Sequence, residues 1–128
     1  MAANTVPIFT KTPNVGVVNI FTAELDLDNP TASAVVFTAA ADGSVLKRIR
    51  VKGIGASTTA GLIHIWLVRS SVYYLYKQIV VTAATPSATV ASFEATETLN
   101  LYLASGDTVE VACSKNEDFD VTAEGEDY

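Results

Sequence analysis

No segment of this chain repeats its apolar residues with a helical period. Its apolar stretches are short, each stopped by Gly, Pro, Asp-Asn or Ser-Gly, so the chain is expected to fold as strands. The run Val15 to Thr22 ends at the acidic turn Asp26-Leu27-Asp28-Asn29-Pro30, and Ala34 to Ala39 follows. Ala41-Asp42-Gly43 reads as a hairpin-type turn into Ser44 to Ile54. In that strand, alternation places Val45, Ile49 and Val51 on one face and Leu46, Arg48, Arg50 and Lys52 on the other. Past a Ser-Thr-rich loop flanked by Gly53, Gly55 and Gly61, the run Leu62 to Val68 is apolar on both faces apart from His64. That pattern predicts a central strand, or one covered by another subunit. Tyr73 to Val81, Ala88 to Glu94 after a loop at Pro86, Leu99 to Leu103, Thr108 to Cys113 and Phe119 to Ala123 continue the rhythm. About eight strands with turn signals every 8–12 residues predict a single-domain all-β sandwich, antiparallel and jelly-roll-like. Residues 1–30 read as an N-terminal arm and first strand, and residues 31–128 as the β-sandwich domain. An immunoglobulin topology lacks its marker here, a Cys pair around a core Trp.

A chain of 128 residues can bury one core without disulfides or metals. Its 49% apolar and 17% charged content is unusual for a small monomer, which predicts that some apolar surface meets a partner. A net charge of −6 argues against nucleic acid as the main partner, because phosphate binding needs cations. The longest apolar stretch, Leu62 to Val68, is far too short to span a bilayer, and no membrane partner is expected. Met1 to Thr5 carries neither a basic start nor an apolar run, so a soluble protein made in the cytoplasm is expected. One His, one Cys and no metal-ligand spacing predict no catalytic residues, no cofactor and no metal site. Cys113, in an alternating segment, reads as a buried small hydrophobe, and His64 as a packed or interface residue.

Lys47-Arg48-Ile49-Arg50-Val51-Lys52 holds four of the eight basic residues. On a strand, Arg48, Arg50 and Lys52 form a cationic ladder at about 7 Å spacing. Acidic partners are implied, either on neighbouring strands of the same sheet or on another subunit. Glu24, Asp26, Asp28 and Asn29 resemble a cation loop but lack the calcium-loop pattern. The carboxylates Glu117, Asp118, Asp120, Glu124, Glu126 and Asp127 predict a terminal strand guarded against edge-to-edge pairing, with calcium binding between subunits as the alternative. Trp66, Tyr73, Tyr74 and Tyr76 read as an interface belt, or else as a carbohydrate-stacking platform. Glu94 or Glu97 beside His64 would supply an acid-base pair only if the fold joined them. Gly53-Ile54-Gly55 is too bare for a phosphate loop.

Val36 to Gly43, Lys47 to Gly55, Leu99 to Leu103 with Ser105-Gly106-Asp107, and the ending Val121 to Tyr128 resemble small virion proteins of tailed bacteriophages and prophages. The likeness covers residues 35–128, and its most specific parts are Arg48 to Gly55 (RIRVKGIG) and Val121 to Tyr128 (VTAEGEDY). It implies a non-enzymatic virion structural protein of the jelly-roll capsid decoration, or cement, type. Such a protein would sit on the capsid surface as a homotrimer bound to the major capsid protein. The implied contacts are Arg48, Arg50 and Lys52 on acidic partners, Trp66, Tyr73, Tyr74 and Tyr76 in subunit packing, and the N-terminal arm on the shell. The alternative is a tail or fibre component with a carbohydrate-binding β-sandwich.

Overall fold

A computed structural model describes residues 9, 10 and 12–128. Its eight strands are β1 (Thr12–Ile20), β2 (Ala34–Thr38), β3 (Ser44–Gly53), β4 (Gly61–Arg69), β5 (Val72–Val81), β6 (Glu94–Leu103), β7 (Thr108–Cys113) and β8 (Phe119–Asp127). Their antiparallel pairing is nested: β4 with β5, β3 with β6, β2 with β7 and β1 with β8. The chain is therefore one long hairpin folded at the turn between β4 and β5. Rolling that hairpin adds the pairs β3 with β8 and β4 with β7, and splits it into sheets ordered β1-β8-β3-β6 and β2-β7-β4-β5. This is the eight-stranded jelly roll the strand rhythm predicts.

The hairpin apex is Ser70-Ser71, both at positive φ (51° and 63°), the geometry a two-residue primed turn requires. The connections at Asp42-Gly43 and Ser105-Gly106 are not hairpin turns: each carries the chain from one sheet to the other. The expected hairpin at Ala41-Asp42-Gly43 is thus an arch, with Gly43 at φ 86° closing it through a bond from its N–H to Ala40 O. The two arches lie side by side, joined by Ala39 N–H to Asp107 O at 2.9 Å.

Between the sheets lies a core of Ile20, Val36, Phe37, Leu46, Ile49, Val51, Ile63, Ile65, Ile79, Val109, Val111, Phe119 and Val121. Leu46 belongs to it, against the expectation that it shares a face with the cations. A β-bulge between Leu46 and Arg48 inserts Lys47 and shifts the alternation by one, so Leu46, Ile49 and Val51 all point inward. Similarly, β8 runs to Asp127 and is not an edge: β1 and β3 flank it. Guarding an exposed edge therefore does not explain the terminal carboxylates. The expected run Ala88 to Glu94 is a connection, with only Glu94 in β6. β1 is an integral strand of the first sheet, while the remaining arm residues, 1–8 and 11, lie outside the described residues.

Candidate functional site

β4 is apolar on both faces because each face is covered. Ile63 and Ile65 enter the core, while His64, Trp66 and Val68 point out of the second sheet. There the β1–β2 connection, residues 21–33, lies across His64 and Trp66 as a strap. Trp66 is fully buried, and its Nε1–H donates to Leu27 O at 2.9 Å. Tyr73 meets Trp66 edge-on, with ring centroids 6.4 Å apart. Trp66 is accordingly not a subunit contact, because its indole is spent inside its own chain. The covering that the sequence pattern left to a possible second subunit is supplied by the strap.

Glu24 organises that strap. Its carboxylate accepts backbone N–H bonds from Thr31 (2.6 Å), Ala32 (2.7 Å) and Asp26 (3.0 Å). These bonds, led by the one from Ala32, hold its pKa below the usual carboxylate range despite burial. Asp26 Oδ1 in turn accepts the N–H groups of Asp28 and Asn29, each at 3.0 Å. The acidic cluster is therefore a folded turn whose oxygens face its own backbone. No group of three or more His, Cys, Asp or Glu residues suited to a metal ion occurs among the described residues.

His64 Nε2–H donates to Glu24 O at 3.2 Å, and Nδ1 accepts from the Gln78 amide at 3.0 Å, which fixes a neutral tautomer. Burial pushes its pKa down. Glu94 and Glu97 stand on β6 in the other sheet, and Glu97 pairs with Lys77 at 2.8 Å. The fold does not assemble the acid-base pair. Cys113 is buried, and desolvation raises its pKa, so its thiolate is disfavoured.

The outward face of the β1-β8-β3-β6 sheet, by contrast, carries no strap of described chain like the one over β4, although Thr10 touches it, its hydroxyl donating to Glu126. Strand register arranges it in four rows: Asn19–Asp120–Lys52–Glu94, Val17–Thr122–Arg50–Thr96, Val15–Glu124–Arg48–Thr98, and Pro13–Glu126–Val45–Tyr102 with bulged Lys47 beside it. Read down the strands, β1 offers Val15 and Val17, 59% and 69% exposed, β8 offers carboxylates, and β3 offers cations. Arg48 pairs with Glu124 at 2.6 Å and Lys47 with Glu126 at 2.5 Å, so these cations find acids in their own sheet. Lys47 is the leading cause of the lowered Glu126 pKa. The cationic ladder and the acidic ending are thus neighbouring stripes of one face, a juxtaposition that only the order β8-β3 reveals.

Elsewhere further exposed apolar residues include two sets. Phe21 and Leu25, 61% and 78% exposed, stand on the strap, and Tyr74, Leu75, Tyr76 and Val80 line the edge strand β5. Arg69 grips buried Asp107 with two bonds of 2.6 and 2.9 Å beside the hairpin apex and lowers its pKa. That pair ties the apex to an arch and is structural.

No protein-family model matches this chain, and no curated protein matches it. Among solved structures, a chain of the "Cyanophage Pam1 capsid asymmetric unit" is similar over 99% of this chain and 94% of its own, with 15% identity and a TM-score of 0.45.

Proposed function

We propose that this chain is a phage virion structural protein that decorates and cements the head lattice, acting by binding and not by catalysis. An assembly role is carried by one observation: exposed apolar side chains stand on at least three separate surfaces, among them the bare sheet face, the strap and the β5 edge. A protein that grips several neighbours at once needs several such surfaces, each modest. Attribution to a phage shell comes from the resemblance of residues 35–128 to small virion proteins. Its two most specific segments, Arg48 to Gly55 and Val121 to Tyr128, contribute to β3 and β8, the central pair of the bare face. In this reading the major capsid protein and further copies of the chain, in a trimer, are the partners. Contacts spread around a symmetry axis would make shell rupture require breaking them all, which stabilises the shell by mass action.

Quantitative mass spectrometry of purified particles tests the role. Hundreds of copies per particle, counted against the major capsid protein, support lattice decoration. A few dozen or fewer would move the protein to the tail or neck, and none would discard the virion reading. The exposed tyrosines of β5 favour a second reading, a tail-borne glycan-binding sandwich. A glycan array on which binding is lost with Tyr74→Ala and Tyr76→Ala would select it.

A further inference from the structure

We propose that the bare β1-β8-β3-β6 face pairs with the same face of a second copy about a two-fold axis parallel to the strands, running between β8 and β3. The geometry follows from the stripe order. Laying one copy face-down on another about that axis exchanges left for right and keeps height along the strands. Each β3 then lies over the partner's β8, and each β1 over the partner's β6.

Two of the four rows oppose cation to carboxylate, while in the other two Arg50 faces the Thr122 position and Val45 the Glu126 position. Arg48 comes over the carboxylate position of the Glu124 row, and Lys52 over that of the Asp120 row. Val15 and Val17 come over the methyl-bearing Thr98 and Thr96 positions, Pro13 over the Tyr102 ring, and Asn19 over Glu94. Other placements fail: an in-plane axis perpendicular to the strands sets cations over cations, and a slip by one strand sets β8 over β8. Like charges opposed in this way are strongly disfavoured, so the stripes select one register. The face balances Lys47, Arg48, Arg50 and Lys52 against Glu94, Asp120, Glu124 and Glu126, so these rows carry no net charge of their own. Arg50 and Lys52 have no ion-pair partner among the described residues, and Lys52 Nζ donates to Ser92 O at 3.4 Å.

Four strands about 4.8 Å apart and four rows about 6.7 Å apart give a footprint of about 500 Å² per copy. A standard interface covers about 800 Å² per partner, so the pairing is weak, with dissociation at about 10–100 µM. On a shell, such a contact joins neighbouring oligomers and does not build the trimer itself. It requires nothing of the capsid and is testable on the isolated chain.

Sedimentation of the full chain from about 1 to 500 µM should show a monomer–dimer equilibrium whose dissociation constant rises about tenfold between about 0.05 and 0.5 M NaCl. Val17→Asp, at an exposed position, should raise it at least tenfold with an unchanged thermal midpoint. The decisive variant exchanges the stripes, with Arg48→Glu, Glu124→Arg, Lys52→Asp and Asp120→Lys together. It keeps charge complementarity within each copy and should self-pair as wild type does. Mixed with labelled wild type it should not pair, because cationic stripes then oppose each other. Monomer throughout the concentration range overturns the inference. Free mixing of the exchange variant with wild type overturns it too, since association would then use another surface.

Discussion

Replacing Glu24 with Ala should release the strap from the second sheet. Glu24 is buried, and its two oxygens hold three backbone N–H groups of residues 26, 31 and 32. Each hydrogen bond to a charged group contributes about 1.5–3 kcal/mol, but the bonds share one carboxylate, and a loosened strap lets water replace part of them. A net loss of about 3 kcal/mol is expected. With a urea m-value of about 2 kcal/mol/M for a domain of this size, the unfolding midpoint should fall by about 1.5 M. The assay carries its own local probe, because the chain has a single Trp, buried under Leu27 of the strap. Loss of the strap should shift Trp66 emission to the red before global unfolding. Glu24→Gln, which keeps the volume and one acceptor oxygen, should fall between Ala and wild type. An unchanged midpoint together with unchanged native emission in Glu24→Ala would refute the assignment of Glu24 as the organiser of the strap.

Leu46→Ala should cost about 3 kcal/mol, as a fully buried Leu does, whereas a Leu sharing the exposed cationic face would cost under about 0.5 kcal/mol; denaturant titration separates the two. Gly16→Ala should abolish folding or cost more than about 3 kcal/mol, because a Cβ there would stand 1.7 Å from Val36 O where β1 crosses β2, and circular dichroism of the purified variant reads the outcome. Stability should be fully present above about pH 6.5 and decline as pH falls, because folded His64 binds its proton less readily than unfolded His with its value of 6.5. Glu24, Asp107 and Glu126, also lowered on folding, extend the loss at more acid pH. Urea midpoints measured from about pH 8 to 4 check this, and His64→Gln should flatten the upper part of the curve while leaving the lower part.

How far the fold was legible follows from what local pattern can carry. Alternation in Leu99, Leu101 and Leu103, and in Phe119 and Val121, names strands and their inward residues correctly, since side chains reverse at every step. Alternation says nothing of sheet membership, so Asp42-Gly43 reads as a hairpin although it bridges sheets. Nor does it show a bulge: Lys47 carries no signal that it is the extra residue, and Leu46 is misplaced for that reason alone. The same limit affects the site. The cations of β3 and the acids of β8 are each conspicuous in the sequence, but paired members lie 68 to 79 positions apart, and only the rolled hairpin makes them adjacent. Trp66 misleads in a different way. A strand apolar on both faces requires a cover, and no pattern within the strand tells whether that cover is a second subunit or a connection some 40 residues earlier.

The strap over β4 changes what the high apolar content implies. Part of the excess that suggested a partner is consumed internally, by His64 and Trp66 lying under the strap and by Val68 and Ala112 buried beside Trp66. Cover and covered are not equal, however: the strap hides Trp66 and displays Phe21 and Leu25 on its own outer side. Apolar surface has been moved outward, not eliminated. A strap whose only task was to seal β4 would gain nothing from a large exposed aromatic and a Leu, while polar residues there would improve solubility. Substituting Phe21→Ser with Leu25→Ser should therefore leave the unfolding free energy within about 0.5 kcal/mol of wild type, because neither side chain is buried in the isolated chain. Binding of the doubly substituted chain to undecorated shells should fall at least tenfold if the strap is a shell contact. Retention of full binding would assign those residues no role in assembly and leave the bare sheet face and the β5 edge to carry it.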